Sequence, residues 1–350
     1  MISKEEVHKV LSKYDKKKLS LATLCSHSSL QIFYGARQEG IHTIGLATSA
    51  EQKKIYEAFP YAAPDEIIEL DDPKEFPVDE LISKNALIIP HGSIVEYAGS
   101  ALDTLPVPVL GNRMSLEFEK DRRKMFDWMK KAGLKTPVIL HPDKIDRPCV
   151  VKHAGAKGGR GYAIVHSSEE FYSKFKNTKG VMVQEYLTGV RAYPHYFFSP
   201  LSDKGYKASN GHIEMLSMDR RFESNIDESY RTMMAGVPIK ASFTVVGNEP
   251  LVLRESLLYD VLEMGKNVVE AADTMFGGIP GPFCLELICD ENLQFYAFEI
   301  SARIVAGTNL YPSGSPYSLY SFEGEMSMAR RIALEVKDAA KKKMLEKITY

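Results

Sequence analysis

The sequence has no CxxC pair. Its four cysteines, Cys25, Cys149, Cys284 and Cys289, are scattered, and the last two lie five apart on an expected strand, facing opposite sides. This argues against a disulfide framework and for a reducing cytoplasm. No apolar run approaches the length of a membrane span, and the N-terminus MISKEEVHKVLSKYDKKK reads as a polar helix rather than a signal segment. A soluble, cytoplasmic, unprocessed chain is expected. Charge of one sign is also missing, since 44 basic residues face 46 acidic ones for a net −2. No strong field draws the protein to nucleic acid or to an anionic membrane, and small ligands are the better expectation. Internal repeats and low-complexity tracts are absent.

With 350 residues, 44% of them hydrophobic, the chain can fill two or three cores. After a first helix, LSLATL (19–24) reads as a buried strand and SLQIFYGARQEG as the helix that follows. The strand pattern recurs in HTIGLAT, EIIEL and ALIIP before a long amphipathic helix over 115–132. Alternating strands and helices predict a parallel, Rossmann-like α/β domain over residues 1–125. From Pro148 the texture changes to strands joined by short turns: CVVKHA, GYAIVH, GVMVQEYL, AYPHYFFSP, GHIEMLSMD and KASFTVVG. A helix over 256–275, the strands PFCLELIC and LQFYAFEIS, and helices within 326–346 complete an α+β region. We divide it into a central part, 126–215, with a glycine-rich loop, and a C-terminal part, 216–350, with a metal site.

The stretch VVKHAGAKGGRGYAIV carries four glycines in seven residues, Gly155, Gly158, Gly159 and Gly161. A glycine-rich turn between two strands lets backbone N–H groups wrap phosphate oxygens, and Lys152 on the preceding strand can offer a point charge to them. The pattern GxxxxGK[ST] is absent, and a strand rather than a helix follows, so neither a P-loop nor a dinucleotide fingerprint fits. A plain hairpin tip is the alternative. The strand VMVQEYLTG ends in Gln184, Glu185 and Tyr186, which can present backbone groups to an adenine and a carboxylate to a ribose; an ordinary strand end reads the same way.

Glu286 and Glu299 are thirteen apart across an expected hairpin. An even-numbered loop, Asp290 to Leu293, puts both on one face, diagonally placed, where a divalent cation bridging phosphate oxygens would offset their repulsion. An odd loop would make them diverge, and two solvated glutamates are the plain reading. Arg303 shares the face of Glu299 by alternation and is a candidate catalytic cation. At the end of the first strand, Ser26, His27, Ser28 and Ser29 open a helix, where free N–H groups favour a substrate phosphate. Serines there are also ordinary caps. A second loop brings His91, Gly92 and Ser93 to the same sheet edge. Asp219, Arg220, Arg221, Glu223, Asn248 and Arg254 are candidates for a nucleotide, a phosphate or a polar base, or else form solvated groups and ion pairs.

The order of these pieces resembles the ATP-grasp superfamily. Within it, SHSSLQI, PHGS, GNR, VKHAGAKGGRGY, HYFFSPL, RRFESNID, VVGN, RESLL, GPFCLE, FEISAR, AGTN and MSMARRIA resemble the archaeal formate-dependent FAICAR synthetases over nearly the whole chain. The resemblance implies an ATP-grasp ligase that phosphorylates formate with ATP and transfers the formyl group to the 5-amino group of AICAR. It places His27, Ser93 and Asn248 at AICAR. It places Lys152, the 155–161 loop, Glu185 and Glu223 at ATP, and Glu286 and Glu299 at Mg²⁺ or Mn²⁺. The chain departs from the family pattern at Ala154, Ser28 and Val305, where relatives carry proline, threonine and an acidic residue, and at Glu286, where some carry glutamine. A ligase for another carboxylate and amine, and a nucleotide sensor without turnover, draw on the same residues. A homo-oligomer is compatible with all of them; nucleic acid and membrane partners are not expected.

Overall fold

The computed structural model describes residues 1–152, 162–175, 178, 180–237 and 242–350. A helix α1 (Lys4–Ser12), opened by a Ser3/Glu6 capping box, leads into the first sheet. Its strands are β1 (Ser20–Leu24), β2 (His42–Ala47), β3 (Glu66–Glu69) and β4 (Ala86–Ile88), all parallel in the order β3-β2-β1-β4. Every residue of β1 is buried, as befits a central parallel strand covered on both faces. The crossovers are α2 (Ser29–Gln38), α3 (Ala50–Ala58) and α4 (Val78–Ser83), with α5 (Gly92–Leu102) following β4. Gly35 lets α2 lie against the C-terminal helix Met328–Lys342: a Cβ there would stand 2.4 Å from the Arg330 backbone nitrogen.

The single helix expected over 115–132 is two, α6 (Arg113–Lys120) and α7 (Arg122–Lys131). Asp121 between them is extended, and its carboxylate accepts from the Arg123 and Lys124 N–H groups. A short acidic side chain inside a helical pattern has started a new helix as its cap. The expected border at 125/126 therefore falls inside α7.

A second, antiparallel sheet contains β5 (Ile139–Leu140), β6 (Cys149–Lys152), β7 (Ala163–Val165) and β8 (Met182–Glu185) in the order β5-β8-β6-β7. With α8 (Ser168–Phe175) it encloses a small separate core of Cys149, Val151, Val165, Phe171 and Val183. The third sheet is built from β9 (Val190–Ser199), β10 (Tyr206–Ala208), β11 (Gly211–Glu223), β12 (Val245–Pro250), β13 (Gly281–Cys289) and β14 (Phe295–Ser301). Its order is β10-β11-β9-β13-β14, with β12 alongside β11. The expected border at 215/216 lies within β11, where pairing to β9 runs from His212 to Asp219. Strand β12 also begins later than KASFTVVG suggested, and 240 and 241 of that stretch lie outside the described residues.

Helix α9 (Ile226–Met234) joins β11 to β12, and α10 (Leu258–Phe276) covers one face of the third sheet. The Trp128 indole on α7 donates to the Val268 carbonyl of α10 at 3.0 Å, tying the central helices together. After β14 come α11 (Pro316–Ser321) and α12 (Met328–Lys342), the latter packed on α2. The cysteines are all free and buried. Among the described residues no helix is long and apolar enough to cross a membrane. The second and third sheets face each other across a cleft of about 760 Å³, and both contribute polar side chains to it.

Candidate active site

The two carboxylates on the late hairpin are brought together by a route the sequence did not suggest. Strand pairing closes at Cys289↔Phe295, so five residues rather than four form the turn. That odd loop alone would send Glu286 and Glu299 to opposite faces. The register then shifts between Glu286 and Leu287, leaving Phe298 without a partner, and this one-residue bulge restores the parity. Glu286 consequently stands directly opposite Glu299, and Phe298 and Glu299 both line the cleft.

Like charges at such a position need cations. Arg221 of β11 lies over the Tyr193 ring, 4.0 Å from its centroid, and reaches across β9 to donate to both oxygens of Glu286 at 3.0 and 2.6 Å. Arg122, the first residue of α7, stands 3.7 Å from Glu299. Burial and the facing Glu299 nonetheless raise the pKa of Glu286, with Arg221 acting against them. Each carboxylate keeps lone pairs for a further partner. Among the described residues no three His, Cys, Asp or Glu side chains gather as a metal cage. Two hard carboxylates without a third protein ligand suit Mg²⁺, which keeps waters and takes phosphate oxygens to complete its shell.

Lys152 ends β6 on the opposite wall. It is buried, with its ammonium 5.0 Å from the Phe298 ring and 5.7 Å from the Tyr162 ring, and it has no carboxylate or carbonyl partner among the described residues. Burial pushes its pKa down to about 8; Glu299 and Glu286 oppose this, and Arg122 and Arg191 add to it. A charge held this close to neutrality lacks an anion, and a phosphate would supply one. That pKa of about 8 sets a sign: affinity for a phosphate anion should fall as pH rises through about 8, because the cation is lost. Lys152→Arg, protonated throughout, should flatten the pH dependence of polyphosphate binding between pH 7 and 9, which calorimetry would read.

Gly155, Gly158, Gly159 and Gly161 lie outside the described residues. Glu185 does line the cleft, but its carboxylate is already engaged, accepting from the Val138 N–H at 3.2 Å and from Arg147 at 3.3 Å. Glu223 is paired with Arg191. The adjacent Gln184 is more informative: it is buried in the cleft wall, and its Oε1 finds no donor among the described residues. Only the fold reveals that vacancy, since a glutamine at a strand end looks like any other.

The third group of candidates collects at the carboxyl end of the first sheet. His27 takes a left-handed backbone conformation, φ 56°, which strains a non-glycine residue and is more often found where function holds it. His27 is an exposed residue, yet the protein around its ring strips enough water to push its pKa well below the usual range, with His91, Arg303 and Arg221 adding repulsion. His27 stacks on His91 at 5.3 Å, and Ser26 bonds Ser93 at 2.9 Å. His91 itself is wholly buried, bonding the Leu24 carbonyl through Nε2 and accepting from the Ser93 N–H as the cap of α5. Ser28 and Ser29 are likewise buried, bonded to His27 and Tyr56. These three are scaffold rather than phosphate ligands, because their polar atoms are already used. Ser26 and Ser93 instead line a cavity of about 570 Å³ beside Thr48 and Tyr97.

Arg303 lies beyond the end of β14 and pairs with buried Glu119 of α6, at 3.1 Å through Nε and 3.0 Å through Nη2. It still stands beside His27, since a Cβ on Gly92 would lie 2.7 Å from His27 Nε2 and 3.5 Å from Arg303 Nη2. Asn248 of β12 pairs in register with Arg221 and so shares its face. Val305 packs with Tyr193 and Cys284 in an apolar cluster, so an acidic residue would be poorly solvated there. Arg220 makes an exposed ion pair with Glu249, and Arg254 is exposed. Sequence reasoning passed over Arg122, Glu119, Tyr193 and Phe298, whose roles arise from packing alone.

A parallel α/β domain followed by two sheets that hold a buried lysine and paired carboxylates between them defines an ATP-grasp protein. A crystal structure of the IMP biosynthesis protein PurP from Thermococcus kodakaraensis matches with a TM-score of 0.74 at 25% identity, over 94% of this chain and 100% of that one. N5-carboxyaminoimidazole synthetase from Staphylococcus aureus, complexed with ADP, matches with a TM-score of 0.64 at 15% identity, over 93% and 79%. Two family models, a protein of unknown function (DUF1246) and a domain of unknown function (DUF1297), cover residues 21–140 and 168–350. The chain is 48% identical over 355 aligned positions, 99% of each partner, to 5-formaminoimidazole-4-carboxamide-1-(beta)-D-ribofuranosyl 5'-monophosphate synthetase of Methanococcoides burtonii. It is 49% identical, over 96% of each, to the enzyme of the same name from Methanothrix thermoacetophila. The chain belongs to this synthetase family.

Proposed function

We propose that the protein is an ATP-dependent ligase that joins formate to the 5-amino group of AICAR, yielding FAICAR, ADP and phosphate in purine biosynthesis. The observation that carries this reading is one cleft lined by both the buried Lys152 and the directly opposed Glu286/Glu299 pair. Family membership narrows the acceptor and the carboxylate.

Formate oxygen attacks the γ-phosphorus of ATP, the bond to the β-phosphate oxygen breaks, and ADP leaves. The amine nitrogen of AICAR then attacks the carbon of formyl phosphate, phosphate departs with the C–O electron pair, and the nitrogen loses a proton. In this reading Lys152 offsets phosphoryl charge, and Gln184 Oε1 suits an exocyclic amine of the nucleotide base. Mg²⁺ or Mn²⁺ held by Glu286 and Glu299 would supply further charge neutralisation at the phosphates. His27, kept neutral, can contact the acceptor without adding charge, and Arg303 can face the carboxylate oxygens. No protein nucleophile is needed, so catalysis is positioning and electrostatics. Exclusion of water matters because an acyl phosphate hydrolyses readily. This reading places the reaction in the cytoplasm.

ADP release is expected only when formate and AICAR are both supplied with ATP and Mg²⁺, and a coupled assay with each omitted in turn measures it. ADP formation that ignores both compounds would reject the assignment.

A further inference from the structure

Asn248 is held by a buried chain of hydrogen bonds whose polarity follows from the groups themselves. A carboxylate only accepts. Asp219, 1% exposed, therefore accepts from His195 Nε2–H at Oδ1, 2.8 Å away, and from the Asn248 amide nitrogen at Oδ2, 2.6 Å away. His195, wholly buried, is steadied at its other nitrogen by Ser217 at 2.7 Å. Gly307 closes the carboxylate in from above: a Cβ there would stand 2.2 Å from Asp219 Oδ1. Turning the Asn248 amide over would set its oxygen against the Asp219 carboxylate. Its Oδ1 is thereby directed away from Asp219, and no described residue donates to it.

We propose that Asp219, steadied by His195, is a positioning residue that locks Asn248 with Oδ1 toward the acceptor nucleotide, so that this wall selects a hydrogen-bond donor and repels an acceptor oxygen. The proposal rests on the reading that Asn248 faces the AICAR site. The donor is an N–H or O–H of the nucleotide, namely its 5-amino group, its carboxamide or its ribose.

Asp219→Ala should raise KM for AICAR roughly tenfold, the scale of one hydrogen bond, while KM for ATP stays unchanged. Asp219→Asn should recover most of the loss. Its side-chain oxygen still accepts from Asn248, and its amide can donate to His195 once the imidazole proton moves to the other nitrogen. Gly307→Ala, which crowds the carboxylate without removing it, should show the same AICAR-selective rise and serves if Asp219→Ala fails to fold. Analogues lacking the 5-amino group, the carboxamide nitrogen or the 2′-hydroxyl, used as competitive inhibitors, identify the donor: Asn248→Ala should abolish the wild type's discrimination against one of them.

Equal rises in KM for AICAR and ATP, or a lowered Tm with both constants intact, would make the network merely structural and overturn the proposal. So would Asn248→Ala discriminating against all three analogues as the wild type does. If Asn248→Ala raises KM for AICAR while neither Asp219→Ala nor Gly307→Ala does, the positioning role fails and the placement of Asn248 survives. If Asn248→Ala leaves KM for AICAR unchanged, that placement itself is wrong.

Discussion

Glu299→Gln should cut AICAR- and formate-dependent turnover by roughly 10³-fold while ATP binding is largely kept, the scale of losing one preorganised electrostatic group. The substitution preserves shape and strand pairing opposite Glu286 but removes one of two charges. Glu286, relieved of its like-charged neighbour, remains paired with Arg221, so the fold should hold. Steady-state rates, with nucleotide binding followed separately by calorimetry, measure both halves. Retained turnover would show that the paired carboxylates do not serve phosphoryl transfer, and lost ATP binding would show that Glu299 is needed earlier than the chemistry.

Arg221→Met should destabilise the protein by about 3–5 kcal/mol, the cost of leaving a buried charge without its partner. Glu286 is 4% exposed, and Arg221 is the residue that grips both of its oxygens. The pH dependence supplies a second readout. A carboxyl whose folded pKa is raised above its unfolded value contributes stability that is present at low pH and is lost as pH rises through the folded value. Burial already raises Glu286, and removing Arg221 takes away the main group opposing that rise. The variant should therefore gain stability relative to wild type as pH falls from about 7 to 5, opposite to ordinary acid unfolding. Thermal unfolding across that range measures it; a pH-independent difference would mean that Arg221 acts through packing on Tyr193 instead.

Particular residues show where sequence reading reached its limit. Period-two alternation was enough to suspect that Glu286 and Glu299 share a face, but it rested on a four-residue loop. The actual turn has five residues, and the agreement was rescued by the bulge at Phe298, which no local pattern announces. The helix expected over 115–132 had the right apolar spacing and was divided by Asp121, whose capping strength outweighed the pattern. His91 looked as much a ligand as His27, because both sit in strand-end loops. Burial separates them: the first is wholly buried with its ring capping a helix, and the second is an exposed residue.

From the chain alone came the alternation of strands and helices, the lysine before the glycine-rich turn, the late acidic pair and the family resemblance, all of which depend on neighbours in sequence. Tertiary structure alone decided that Arg221 reaches Glu286 across a strand, that Arg303 pairs with Glu119, and that Asp219 orients Asn248. Those partners lie 29 to 184 residues apart. Charge and hydrogen bonding act through space over a few ångströms, and only folding sets which distant groups come that close.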